Sequence, residues 1–162
     1  MNGDAYMLAP CCCFTGHRRL SAGETQRLSG ELDRQIETLF FEGVCDFYCG
    51  GALGFDMLAE EAVLRLRRKA PSVRLHLILP CPDQDSRWPP SVRARYARLL
   101  EEADDVEYAA DRYSTACIFE RNRRLVDYTT ICVAYQTHPG GGTDYTVRYA
   151  REQGKRVILL RP

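Results

Sequence analysis

The chain has 162 residues, enough to bury a real hydrophobic core, and is expected to form one domain over residues 1–162. Its 22 basic residues balance 22 acidic ones, so no overall field draws it toward nucleic acid and no run of one sign suggests a charged tail. No apolar stretch is long enough to cross a bilayer, and the segment around Asp4 lacks the basic start and apolar core of a secretory signal. A soluble cytoplasmic protein with no membrane partner is expected.

The first apolar run is Leu8–Phe14, followed by Thr15-Gly16-His17-Arg18. Leu28, Leu32, Ile36, Leu39 and Phe40 then recur at helical spacing. The second run, Asp46–Cys49, leads into a glycine-rich turn, Gly50-Gly51-Ala52-Leu53-Gly54-Phe55-Asp56, and a helical set at Leu58, Ala62, Val63 and Leu66. The third run, Leu75–Leu79, opens the proline-rich loop Pro80–Pro90, which carries Cys81 and Trp88. Val92, Tyr96, Leu99 and Ala103 follow, then the short run Val106–Tyr108. A further helical set, Ile118, Leu125 and Val126, contains Arg121-Asn122 just after its start. The run Ile131–Tyr135 precedes a second glycine turn, Pro139-Gly140-Gly141-Gly142-Thr143-Asp144. Thr146, Val147 and Ala150 mark the last helix, and Val157–Leu160 the last run.

Continuous rather than alternating apolar runs suit strands buried on both faces. Strand and helix alternate throughout, which predicts an α/β protein: a doubly wound, mainly parallel sheet of about six strands with helices on both faces. The cysteines fit that picture. There are eight, but no CxxC pair exists, the histidines are scattered, and Cys11, Cys12 and Cys13 share one apolar run. Reduced, buried thiols acting as small hydrophobes are expected, and no metal site.

In such sheets ligands bind beyond the carboxyl ends of the strands, where the strand order reverses. The two glycine turns fall on that edge. Glycine permits a tight turn and close approach of a ligand to the backbone, and the helix start that follows offers free N–H groups to an anion. Neither turn matches the dinucleotide fingerprint GxGxxG or the P-loop, which argues against an ordinary dehydrogenase or ATPase. The expected ligand-binding set is Thr15, Gly16, His17, Arg18, Gly50, Gly51, Gly54, Asp56, Pro80, Arg121, Asn122, Gly140, Gly141, Gly142, Thr143 and Asp144. Arg18 and Arg121 can grip oxyanions through paired hydrogen bonds. Asp56 and Asp144 either complement a helix dipole or accept hydrogen bonds from ribose hydroxyls. Trp88 can stack on a base or pack over the core. Asp56, Arg121 and Asp144 are the catalytic candidates if there is catalysis; no nucleophilic triad is defensible from spacing.

Several segments together, Cys12–Arg18 (CCFTGHR), Gly50–Asp56 (GGALGFD), Leu79–Gln84 (LPCPDQ), Arg121-Asn122 with Val126-Asp127, and Gly141–Ala150 (GGTDYTVRYA), resemble the YpsA/YoqJ-like branch of the SLOG superfamily. The similarity runs from Cys12 to Leu160. It implies a Rossmann-like fold shared with the DNA-processing protein DprA and the lonely-guy phosphoribohydrolases, a nucleotide-type ligand such as NAD or ADP-ribose rather than a tightly held cofactor, and a homodimer built through helices. The phosphoribohydrolases use an arginine in an RK pair and a glutamate in PGGxGTxxE. Arg121 matches that arginine, with Asn122 in place of the lysine. Pro139–Thr143 is one residue shorter than the family's turn, and Thr146 stands where the glutamate would be. Arg19 replaces the proline that usually follows HR in this branch.

These features favour a module that senses or sequesters a nucleotide or nucleotide derivative. An N-glycoside hydrolase is the alternative and would need Asp56 or Asp144 near C1′, to stabilise positive charge developing on the ribose. A DprA-like nucleic-acid binder is a third, less favoured reading because the net charge is balanced.

Overall fold

The computed structural model describes residues 9–162. Strands β1 (Cys11–Gly16), β2 (Asp46–Cys49), β3 (Arg74–Leu79), β4 (Asp105–Tyr108), β5 (Ile131–Tyr135) and β6 (Arg156–Leu160) alternate with helices α1 (Ala22–Phe41), α2 (Phe55–Lys69), α3 (Pro90–Glu102), α4 (Thr115–Asp127) and α5 (Gly141–Glu152). The strands form one sheet in the order β4-β3-β2-β1-β5-β6, and all neighbours run parallel. The chain steps outward from β1 to β4, then crosses over and resumes at β5 on the far side of β1. The order therefore reverses between β1 and β5.

That reversal sorts the helices. One core cluster packs Cys12 and Phe14 of β1 against Leu28, Leu32 and Ile36 of α1, Met57 and Ala59 of α2, and Tyr96 and Leu99 of α3. The alternate residue Cys13 faces the other way, onto Leu125 and Val126 of α4 and Ala150 of α5. Successive strand side chains point to opposite faces, so each central strand feeds both clusters. This is why the apolar runs read as continuous. The edge strand β4 is mostly exposed, with Val106 and Tyr108 partly in solvent.

The first strand departs from its expected limits. Leu8 lies outside the described residues, and β1 runs on past Phe14 because Thr15 and Gly16 pair with Ala134 and Tyr135. These two polar or small residues read as loop in the sequence but belong to the central strand. The chain then turns into α1 through a capping box: Ser21 accepts the Glu24 N–H at 3.1 Å and Glu24 accepts the Ser21 N–H at 2.7 Å. All eight cysteines are free, with Cys12, Cys13, Cys49, Cys81, Cys117 and Cys132 buried. Burial pushes the Cys12 and Cys49 thiols up, as apolar surroundings should.

Candidate functional site

A cleft of about 390 Å³ opens at the carboxyl ends of β1 and β5, where the strand order reverses. Thr15, Gly16, His17 and Arg18 form one wall. Asp56, Arg121 and Asn122 form the floor, and Gly140, Gly141, Gly142 and Thr143 form the opposite wall. The reversal of strand order brings together segments far apart in the sequence.

The floor is built from buried polar groups. Arg121 is only 4% exposed. One terminal nitrogen donates to the Gly50 carbonyl, and Nε donates to Asn122 Oδ1 at 2.8 Å. Its other terminal nitrogen has no partner among the described residues. Asn122 is likewise buried. Its Nδ2 also lacks a partner among the described residues and lies 3.7 Å from where a Cβ on Gly142 would stand, so it is turned toward the start of α5. Asp56 is 6% exposed and accepts the Ala52 N–H at 3.1 Å. Burial raises its pKa, opposed by the Arg121 charge, the Ala52 bond and Arg18.

The two glycine turns do different work. In the second, Gly140 (φ +86°) and Gly141 (φ +78°) carry the chain into α5, and a Cβ on either would meet nothing within 4 Å. Gly140 has no side chain to cap the helix, and the Asp144 carboxylate sits in its first turn, so α5 turns free N–H groups to the cleft with part of its positive end offset. In the first, Gly54 (φ +75°) is pressed against the β1–α1 loop. A Cβ there would lie 2.4 Å from the Arg18 carbonyl oxygen, and the Phe55 N–H donates to the His17 carbonyl at 3.1 Å. The Asp56 carboxylate closes the same helix end through Ala52. The Phe55 N–H and the Asp56 carboxylate at the α2 start are thus both engaged by the protein's own chain.

Several expected contacts are therefore corrected. Gly50, Gly51 and Gly54 do not line the cleft: Gly50 lies under Arg121, and a Cβ on Gly51 would strike Leu79 Cδ2 at 2.2 Å. These glycines serve packing within the protein. Pro80 is buried outside the cleft, its carbonyl accepting the Ala110 N–H at 3.0 Å. Asp144 also stands outside. It accepts from Gln136 Nε2 at 2.9 Å and lies 3.7 Å from Arg148, and the Gln136 bond leads the effects holding its carboxyl below the ordinary value. It braces the β5–α5 turn from outside the cleft lining. Thr146 is buried with its hydroxyl donated to the Gly142 carbonyl at 2.8 Å.

His17 stacks face to face on His138, with ring centroids 4.2 Å apart, and its Nε2 accepts the Thr137 N–H at 2.8 Å. Burial first, then His138, lowers its pKa, which suits a neutral ring carrying its proton on Nδ1. His138 and Tyr113 line the cleft although the sequence reading passed over both. His138 immediately precedes the second glycine turn, which is the available signal; Tyr113 lies in an irregular segment with none.

Glu60, one turn beyond Asp56 on α2, is fully buried, and neither carboxyl oxygen has a hydrogen-bond partner among the described residues. Burial, reinforced by Asp56, pushes its pKa well above 4.5. A carboxyl whose pKa is raised on folding stabilises the fold most below its unfolded value, and that contribution is lost as pH rises through the folded one. Glu60→Met is accordingly expected to raise the unfolding free energy at pH 7 by about 1–3 kcal/mol, by removing an unsatisfied buried group. It should also flatten the decline in stability above pH 4.5. Denaturant unfolding of both proteins across the pH range checks this; equal slopes would show Glu60 to be paired.

Among the described residues no helix is long and apolar enough to cross a membrane, and no cluster of side chains is suited to a metal. Comparison with known proteins gives a consistent picture. The family model described as the YspA SLOG family matches residues 13–158. The chain is 30% identical over 124 residues to a UPF0398 protein of Halalkalibacterium halodurans, covering 75% of this chain and 66% of that one. It is 28% identical to the SPbeta prophage-derived protein YoqJ of Bacillus subtilis, covering 84% and 88%. Two solved structures of DNA processing protein A share the fold. The Helicobacter pylori protein, described for its single-stranded DNA binding mode, matches with a TM-score of 0.67 and 21% identity over 95% of this chain and 66% of its own. The Streptococcus pneumoniae protein matches with a TM-score of 0.68 and 16% identity over 95% and 51%. This chain thus spans half to two thirds of those DprA chains and just under two thirds of the Halalkalibacterium relative. With the family model spanning most of the sheet and all five helices, the chain belongs to the YspA SLOG family.

Proposed function

We propose that the protein binds a nucleotide or a nucleotide-derived molecule, of the NAD or ADP-ribose kind, as a sensor or sequestering module. One observation carries the reading. Two nine-tenths-buried side chains, Arg121 and Asn122, line the cleft opposite the uncapped start of α5 and have donors unclaimed by the described residues. The unclaimed donors are the parts of these side chains that reach the cleft, since among the described residues only Glu60 holds fully buried side-chain atoms without a partner; donors converging with the start of a helix suit a phosphate group. Asp56 is the acceptor at the same floor and suits a ribose hydroxyl.

A hydrolytic reading rests on Asp56 alone. Its carboxylate reaches the cleft, but the position of the phosphoribohydrolase glutamate is held by Thr146, whose hydroxyl is turned back onto its own helix. Single-stranded DNA, named for the Helicobacter relative, would call for a basic face. Here Arg65 pairs with Asp33 at 2.9 Å, Arg67 with Asp104 at 2.9 Å, and Arg68 lies 3.9 Å from Glu102. Arg65 and Arg67 of the basic run at the end of α2 are thereby paired, which leaves the more exposed Arg68 and Lys69 as a small basic patch.

The test is incubation with AMP, NAD, ADP-ribose and cyclic dinucleotides, following both melting temperature and products. A ligand at 100 times its Kd should stabilise by about 2.7 kcal/mol. Gly142→Asp gives the control. Its Cβ has room, and a carboxylate in the first turn favours the helix by about 0.3–1 kcal/mol while repelling an anion. The variant should fold as well as the parent and lose the ligand-induced shift. Retention of that shift would remove the α5 start from the site; release of free base would establish hydrolysis.

A further inference from the structure

A second hollow, of about 540 Å³, adjoins the cleft, and the two share Arg18, Ala52, Tyr113 and Ile118 as a common wall. Its chemistry differs from that of the cleft. Trp88 forms part of its lining, half-buried and set nearly perpendicular to Tyr96, with ring centroids 5.1 Å apart. Gln84 is held in place because its amide nitrogen donates to the Gly51 carbonyl at 3.1 Å and the Tyr96 hydroxyl at 2.8 Å. That leaves the Gln84 side-chain carbonyl as an acceptor, beside the Asp83 carboxylate in the same lining. One compartment thus offers donors to an anion; its neighbour adds an aromatic surface and acceptors, alongside Ser86 and Arg87 in the same lining. Between them stands Arg18, exposed and without a hydrogen bond or ion pair to any described residue. Tyr113, 63% exposed, borders both compartments.

A molecule that satisfies both ends carries phosphate at one and a flat ring with N–H donors at the other. We infer that the second hollow receives an amino-bearing base of a nucleoside diphosphate, with the base against Trp88 and the phosphates running past Arg18 to the start of α5. The inference rests on the reading of the cleft as a phosphate site and adds which part of the ligand is selected and by what. Base–aromatic contact and a paired acceptor are the two devices by which proteins hold a free base.

Trp88 is the chain's single tryptophan, so its fluorescence reports on this compartment alone. Pyrophosphate, ribose 5-phosphate, ADP and IDP are titrated by calorimetry and by tryptophan emission. ADP is expected to bind about 10-fold tighter than ribose 5-phosphate and to change the emission, whereas ribose 5-phosphate should leave it unchanged. IDP, lacking the amino group, should fall between them. Trp88→Ala should lower ADP affinity about 10-fold and spare ribose 5-phosphate. Asp83→Ala, a change at an exposed position, should narrow the gap between ADP and IDP in a protein that folds normally. Equal affinities for ADP and ribose 5-phosphate, with silent emission, would overturn the base compartment and leave the phosphate site standing. Calorimetric silence toward all four compounds would overturn both.

Discussion

Gly54→Val is expected to prevent folding, or to cost at least about 3 kcal/mol, whatever ligand is present. Two independent penalties meet there. The residue has φ +75°, a conformation that costs a β-branched side chain about 1–3 kcal/mol. The added Cβ would also lie 2.4 Å from one backbone carbonyl oxygen and 2.6 Å from another, those of Arg18 and His17. Backbone cannot swing aside as a side chain can, so relief requires separating α2 from the β1–α1 loop. That would break the Phe55–His17 hydrogen bond and disturb one wall of the cleft. Gly140→Ala is the matched control. It shares the positive φ, with ψ +167°, but has open space around it, so it should cost only the strain, about 1–3 kcal/mol. Thermal unfolding of the two variants separates crowding from strain; similar melting temperatures would mean that the close approach at Gly54 is relieved easily.

Arg121→Ala is expected to damage stability and binding together, by different routes. Truncation removes the donors to the Gly50 carbonyl and Asn122 Oδ1 and strips the buried Asp56 of its main opposing charge. Loss of such buried partners costs about 2–5 kcal/mol. A fall in affinity alone would therefore be ambiguous. Pairing the change with Asp56→Asn resolves it. The double variant should recover part of the lost stability, since no uncompensated carboxylate remains, yet should not recover affinity for phosphorylated ligands. A nucleoside should lose little in Arg121→Ala. If nucleoside and nucleotide affinities fell alike, Arg121 would be an organiser of the floor and not a phosphate ligand.

The architecture was legible because its signals are long and redundant. Each inner strand is mostly apolar on both faces, and the helices repeat their buried residues at intervals of three or four. The limits of β1 were less legible: Thr15 and Gly16 carry turn-forming side chains, and only pairing with Ala134 and Tyr135 shows them to be strand. The site was partly legible. Arg18, Asp56, Arg121, Asn122 and Gly140–Gly142 meet at the cleft, as their positions relative to the strand ends suggested. Gly51 and Gly54 show the limit of that reasoning. A glycine demanded by a ligand and one demanded by a neighbouring carbonyl or leucine look the same in sequence. They separate only when the space around the missing Cβ is measured. Glu60 is the converse case: nothing about a glutamate on an amphipathic helix distinguishes burial from solvation until α3 and β2 are packed around it.

The order in which the strands are laid down has a consequence for assembly. During synthesis, residues 11–108 can associate β1 through β4 while the outer edge of β1 is still bare, because its second neighbour, β5, has not yet left the ribosome. The cradle at the end of β1 is then missing the part of its floor supplied by α4, Arg121 and Asn122, and its far wall, supplied by the β5–α5 turn. If the cleft binds a ligand, it can do so only once the final third of the polypeptide docks into the seam. A metabolite held there would act as a clasp on the youngest part of the chain.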